Sequence, residues 1–113
     1  MTENTNLLKQ ILEEKKLSRE KERVKLLNTT IDVVQRVAPQ YSVSSAYITG
    51  SLIVPERFHT HSDIDIAVSG LTHQNYFSFM AKIQEYLDRQ VEVIELENCR
   101  FAQKILDTGL KVI

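Results

Sequence analysis

A single cysteine, Cys99, is all the chain contains, which excludes an internal disulfide framework and any cysteine-based zinc site and leaves one free thiol. No apolar run approaches the roughly 20 residues needed to span a bilayer. The opening Met1-Thr2-Glu3-Asn4 also lacks the basic-then-apolar order of a secretion signal, so the expected location is cytoplasmic, with no membrane contact. Excess charge of one sign is missing too. The balance of 14 Lys and Arg against 15 Asp and Glu argues against a protein that grips nucleic acid through bulk charge. Glycine and proline number three and two, and there is no internal repeat and no low-complexity linker. At 113 residues the chain allows one small domain and little more.

Charge is unevenly divided along it. Residues 1–40 hold eight basic and six acidic side chains, whereas residues 41–113 hold six and nine, which points to two parts with different work. From Asn6 to Ala38 neither Gly nor Pro occurs, and apolar residues recur at Leu7/Leu8, Ile11/Leu12, Val24, Leu27, Ile31, Val34 and Val37/Ala38, the spacing of a helix. Between them the run Glu13–Arg23 reads as a solvated helix face, and Pro39 stops the helix. Val24–Val37 is expected to pack on the rest of the protein. Leu7, Leu8, Ile11 and Leu12 are expected to stay exposed and dock on a partner or on a second copy of the chain. Past Pro39 the pattern changes. Ala46–Thr49, Asp63–Val68 and Val91–Leu96 alternate as short strands. Thr72–Gln90 predicts a helix with Tyr76, Phe79/Met80, Ile83 and Tyr86/Leu87 on one stripe. Cys99–Asp107 predicts a shorter helix ended by Gly109, with Leu110–Ile113 as an apolar tail. Strand and helix in alternation imply an α/β arrangement.

The informative stretch is Gly50–Val68. Asp63 and Asp65, two apart on a strand, project from one face while Ile64, Ile66 and Val68 project from the other. Paired carboxylates repel, and become favourable when a divalent cation sits between them; hard oxygen donors suit Mg²⁺ together with substrate phosphates. A bland alternative has Asp63 at the strand end and Asp65 facing solvent. Thirteen residues upstream, Gly50-Ser51 closes a strand, where a glycine lets backbone N–H groups and the Ser51 hydroxyl approach phosphate oxygens. Gly-Ser at one strand end and Ser62-Asp63-x-Asp65 opening the next therefore offer a phosphate seat beside a metal seat. Arg57 is either a phosphate contact or a loop charge, His59 and His61 read as a solvated loop, and Cys99 reads as idle.

The segment Tyr47–Val68 resembles the signature of the polymerase β-like nucleotidyltransferase superfamily, in its minimal nucleotidyltransferase (MNT) branch. The family pattern is Gly-Ser, a spacer, Asp-x-Asp, and a third carboxylate on a later strand, which Glu92 in Val91-Glu92-Val93-Ile94 matches by position. The tail Lys104–Leu110 is also similar. In place of the Arg and second Gly usual after Gly-Ser, this chain has Leu52-Ile53-Val54-Pro55, and Glu92 stands where Asp is usual.

The resemblance implies an α/β (α+β) nucleotidyltransferase fold, a small mixed sheet flanked by helices. Residues 1–40 would form an N-terminal helical extension and residues 41–113 the minimal nucleotidyltransferase domain. It further implies Mg²⁺ held by Asp63, Asp65 and Glu92, and a nucleoside triphosphate, ATP, seated by Gly50, Ser51, Arg57 and Ser62. Small members commonly act as antitoxins of HEPN-domain toxin ribonucleases, attaching AMP to a tyrosine, and that is the expected activity and partner. The alternative is a catalytically weak module that neutralises its partner by contact, which the Leu52–Pro55 and Glu92 departures favour. Transfer to a small molecule has least support, because no second lobe is present to form a pocket. An open sheet edge and the long amphipathic helix invite a homo-oligomer.

Overall fold

In the computed structural model, which describes residues 2–113, the glycine- and proline-free start of the chain is one helix, α1 (Thr2–Val37). It ends just ahead of Pro39, where Ala38–Tyr41 tighten into a 3-10 turn closed by Ser42 in the left-handed region (φ 58°). Its 36 residues extend about 54 Å at 1.5 Å per residue, and the long axis of the molecule is 62 Å. The rest of the fold covers only the second half of the helix. There Val33, Val34, Val37 and Ala38 are buried, with Leu26, Leu27 and Ile31 packed against the same core. Leu7 and Leu8 remain 57% and 59% exposed, Ile11 and Leu12 are exposed too, and so is Val24, which the helical spacing had placed on the packed stripe.

The remaining elements build a mixed four-stranded sheet of order β3-β2-β1-β4. Strand β1 (Ser45–Thr49) runs antiparallel to β2 (Ile64–Ser69), and β2 is parallel to β3 (Val91–Glu95). The parallel step is bridged by α2 (Tyr76–Leu87), as a parallel pair requires. This helix is shorter than the predicted Thr72–Gln90. His73–Asn75 form a separate 3-10 turn, and Asp88 in the left-handed region (φ 49°), its N–H bonded to the Gln84 carbonyl, closes the other end. Phe79, Ile83 and Leu87 are buried as the stripe predicts, whereas Tyr86 faces out.

The last helix, α3, spans Ala102–Thr108 and starts later than Cys99. Leu96–Asn98 form a 3-10 turn whose closing N–H comes from Cys99, so Cys99 ends that turn in extended backbone and does not open the helix. Gly109 follows α3 with φ −73°, outside the left-handed region. What it supplies is space, since a Cβ there would stand 2.6 Å from the Ile105 carbonyl oxygen. The apolar tail contains β4 (Leu110–Lys111), antiparallel to β1, and Val112 and Ile113 donate N–H bonds to the Ala46 carbonyl.

The two faces of the sheet differ. Ala46, Ile48, Ile64, Ile66, Val68, Val91 and Val93 face α1 and α2 in the main core. Ala67 faces the other way, in a small cluster with Leu96 and Ile105 of α3. Because α3 is only seven residues long, part of that second face is uncovered, and Asp65 of β2 and Glu92 of β3 lie there. Among the described residues no helix is long and apolar enough to cross a membrane.

Ile48 is fully buried at the centre of the sheet, so Ile48→Ala is expected to cost about 2–5 kcal/mol in denaturant unfolding. Leu8→Ala on the projecting part of α1 should stay within about 0.5 kcal/mol of the parent.

Candidate active site

Strand register brings the carboxylates together. Asp65 on β2 pairs with Glu92 on β3 and with Thr49 on β1, so its side chain stands between those of the two neighbouring strands on the face that α3 leaves open. Asp63 lies one residue before β2 and is exposed, so it approaches Asp65 from the loop and not from within the strand. The electrostatic result is a raised Asp65 pKa, from 3.8 to about 6: half-burial contributes most, followed by the negative charges of Glu92 and Asp63 and a hydrogen bond shared with Glu92.

Gly50 is the other half of this arrangement. It opens a 3-10 turn, Gly50–Ile53, with φ 78°, in the left-handed region that favours glycine. A Cβ at this position would come within 3.0 Å of the Asp65 carboxylate, so the absence of a side chain lets the main chain pass directly over that group. Ser51 follows in the same turn, half-buried, with its carbonyl accepting the Val54 N–H at 3.1 Å.

Beside the carboxylates opens a cleft of about 470 Å³, whose walls include Thr49, Gly50, Ile53 and Val54 on one side and Phe101, Lys104 and Thr108 of the α3 segment on the other, with Asp65 and Glu92 between them. The volume falls within the usual size range of small-molecule sites. Lys104 supplies the cleft's positive charge. Sequence reasoning passed over it, although Phe101, Lys104, Ile105 and Thr108 recur at helical spacing around the buried Ile105 and so share one face of α3.

Of the residues expected at the site from the sequence, Gly50, Asp65 and Glu92 line this cleft, whereas Ser51, Arg57, Ser62 and Asp63 do not. Arg57 is exposed in the loop, with its N–H on the Val54 carbonyl. The Ser62 hydroxyl accepts the His59 N–H at 3.0 Å, and its carbonyl accepts a bond from Arg89, so Ser62 shapes the approach to Asp63. Arg89 also donates to the Thr60 carbonyl at 2.9 Å and lies 4.8 Å over the Phe58 ring. His61 is exposed, His59 borders a separate small cavity with Arg19, Arg23 and Arg89, and Cys99 is half-buried beside Glu95 and Asn98.

Among the described residues, no three His, Cys, Asp or Glu side chains close into a ready-made metal cage. An open set of neighbouring carboxylates is nevertheless the donor chemistry that suits Mg²⁺, which retains waters and is bound through one or two carboxylates plus substrate phosphates. The mutual repulsion recorded in the Asp65 pKa is the charge imbalance that a divalent cation offsets.

A family model described as polymerase beta, nucleotidyltransferase, matches residues 32–113. No curated protein sequence matches the chain. Among solved structures, three toxin–antitoxin crystal structures share its fold, each over 74% of this chain. One is the MntA–HepT pair, at TM-score 0.58 and 19% identity over 69% of its chain. Another is a mutant of that pair carrying two Asp-to-Glu changes, at 0.65 and 19% over 72%. The third is a toxin–antitoxin with AMP-PNP, at 0.63 and 21% over 72%.

Two outcomes are expected. For Asp65 the folded pKa lies above the unfolded value, so its contribution to stability is fully present below about pH 3.8 and is lost as pH rises through about 6. In metal-free buffer the stability gained by Asp65→Asn over the parent should therefore grow between pH 4 and pH 7, reaching about 1 kcal/mol once solvent screening of this half-exposed group is allowed for. Chemical unfolding across that range checks it. Gly50→Ala should both strain the turn and displace the Asp65 carboxylate, seen as a loss of about 1–3 kcal/mol in the same measurement.

Proposed function

With residues 32–113 matching its model, the chain belongs to the polymerase β nucleotidyltransferase family, and from that premise we propose that it transfers AMP from ATP to a protein hydroxyl, a tyrosine of a HEPN toxin ribonuclease, and so acts as that toxin's antitoxin. The observation that carries the chemistry is the Asp65–Glu92 pair in register on adjacent parallel strands, with Gly50 laid against it at the mouth of a nucleotide-sized cleft. Support for the partner comes from the shared fold with the MntA–HepT structures, and for the nucleotide from the similar toxin–antitoxin with AMP-PNP.

In this reading Asp63, Asp65 and Glu92 would hold Mg²⁺. Bound there, the cation would neutralise charge on the triphosphate and lower the pKa of the acceptor hydroxyl. The protein groups do the positioning. Gly50 and Ser51 present backbone N–H groups and a hydroxyl to the phosphates, and Lys104 faces them from α3. The acceptor oxygen attacks the α-phosphorus, an O–P bond forms as the α–β bridging P–O bond breaks, and pyrophosphate leaves. Glu92, exposed at the cleft edge, takes the hydroxyl proton.

A second reading, neutralisation by contact alone, is favoured by one observation: Leu7, Leu8, Ile11 and Leu12 form an exposed apolar face on the part of α1 that the fold does not cover. Incubating the protein with labelled ATP, Mg²⁺ and a HEPN partner separates the two. Transfer should fall by about a hundredfold or more in Asp63→Ala and Asp65→Ala, Glu92→Gln should lose it, and Glu92→Asp should keep or raise it. A partner silenced equally well by parent and Asp65→Ala, without labelling, establishes contact alone.

A further inference from the structure

Among the described residues, the one buried charged side chain is unused by the chemistry above. Arg23 of α1 is only 8% exposed, and its guanidinium reaches across to the Gly50–Ile53 turn. Arg23 Nη1 donates to the Leu52 carbonyl at 2.9 Å. Its other donors form a fork with Glu20, Nε to Oε1 at 3.0 Å and Nη2 to Oε2 at 3.0 Å. Glu20 in turn accepts the Glu56 N–H through Oε1 at 2.6 Å. One ion pair on α1 thus grips both ends of Leu52–Glu56.

Three features separate this grip from ordinary packing. The gripped residues flank Ile53 and Val54, which line the cleft beside Asp65 and Glu92. Glu56 adopts φ 65°, a left-handed conformation that a non-glycine residue rarely takes without support, and its N–H is the group that Glu20 holds. Finally, Glu20 and Arg23 lie on the part of α1 that precedes the family-matched residues 32–113, while the loop they hold lies within them. Glu20 is held below the usual carboxylate range by its bonds to Arg23 and to the Glu56 N–H, so the pair is a charged one at neutral pH.

We propose that Arg23 and Glu20 are positioning residues for the nucleotide: from α1 they hold the Leu52–Glu56 loop, and with it the Gly50-Ser51 phosphate seat, in the shape that receives the triphosphate. Asp65 and Glu92 are fixed separately, by strand pairing of β2 with β3, and the loop before Asp63 is held by Arg89 at Thr60 and Ser62, so the pair acts on nucleotide affinity and not on metal affinity. This rests on the nucleotidyl-transfer reading.

The test compares the parent, Glu20→Gln, Arg23→Lys and Arg23→Ala in the full chain, reading three quantities: amide hydrogen exchange at Val54, Glu56 and Arg57, the affinity for MgATP, and the affinity for Mn²⁺ alone. Glu20→Gln keeps the shape of the side chain and so guards against a variant that merely fails to fold. Expected are faster exchange at Glu56 and an MgATP dissociation constant raised about five- to tenfold in Glu20→Gln and Arg23→Lys, with Mn²⁺ affinity within about twofold. Where transfer is measured, KM for ATP should rise by the same factor with kcat nearly unchanged. MgATP affinity equal to the parent's in a variant whose loop exchange has risen overturns the proposal, as does exchange that does not change. Parallel losses of ATP and Mn²⁺ affinity also overturn it, because they signal general damage. A parent that binds Mn²⁺ but no nucleotide sinks the transfer reading, and this proposal with it.

Discussion

Everything at the cleft follows from holding two like charges side by side. In parallel pairing the partners Asp65 and Glu92 project from the same face, and no rotation of a single side chain takes one to the other side of the sheet. The cost of half-burying Asp65, and then of setting it beside Glu92, appears as its pKa raised to about 6. It is borne by the fully buried residues on the opposite face, Ile64, Ile66 and Val68, with Val91 and Val93 beside them. The alternation that buries those five presents the carboxylates outward, so the stability and the reactivity of this part of the sheet come from one periodicity.

The neighbouring parts answer the same constraint. A group already short of solvent and crowded by negative charge leaves no room for another side chain above it, and the chain meets this with Gly50, whose missing Cβ is the space that the Asp65 carboxylate takes. The turn so created has no side-chain cap of its own. Its continuation is secured from outside, by Arg23 and Glu20 at Leu52 and Glu56 and by Arg89 at Thr60 and Ser62. Guanidinium groups suit this task because several donors on one plane can hold two carbonyls, or a carbonyl and a carboxylate, at once.

Much of this was legible in the residues. The alternation around Asp65, the α/β order and the long helix without Gly or Pro are local patterns, and a local pattern survives into the fold when neighbours do not oppose it. The features that were not legible depend on distant partners. That Arg57 and Ser62 would stand off the cleft while Lys104 lines it depends on where α3 lands on the sheet, and seven residues of helix carry no signal of their docking. The Glu13–Arg23 run read as a solvated face, and most of it is exposed, but two of its members, the buried Arg23 and the partly buried Glu20, pair because the loop after Leu52 folds back onto α1. A run of charges does not reveal which of them will meet an unsatisfied carbonyl. Cys99 and Gly109 mark boundaries by their residue type, yet the helix starts three residues after the first, and the second serves by its lack of volume and not by its backbone freedom.

The long helix joins two tasks that could have been separate. Its second half is core, through Val34 and Val37, and just before that core it carries the pair that holds the loop beside the cleft. Ahead of the pair lies the uncovered part, with Leu7, Leu8, Ile11 and Leu12 outward. A helix is stiff over this length, because each turn is bonded to the next. Whatever binds the projecting half is therefore connected through a continuous rod to Glu20 and Arg23, three turns further on, and from them to the wall of the cleft. Rigid connection alone makes no switch, since a ligand shifts an equilibrium only through a difference in its affinity for two states. What the rod does provide is registration: a partner seated on Leu8 and Leu12 would be held at a set distance and bearing from Asp65, and under the proposed transfer an acceptor hydroxyl on that partner would gain the advantage of proximity.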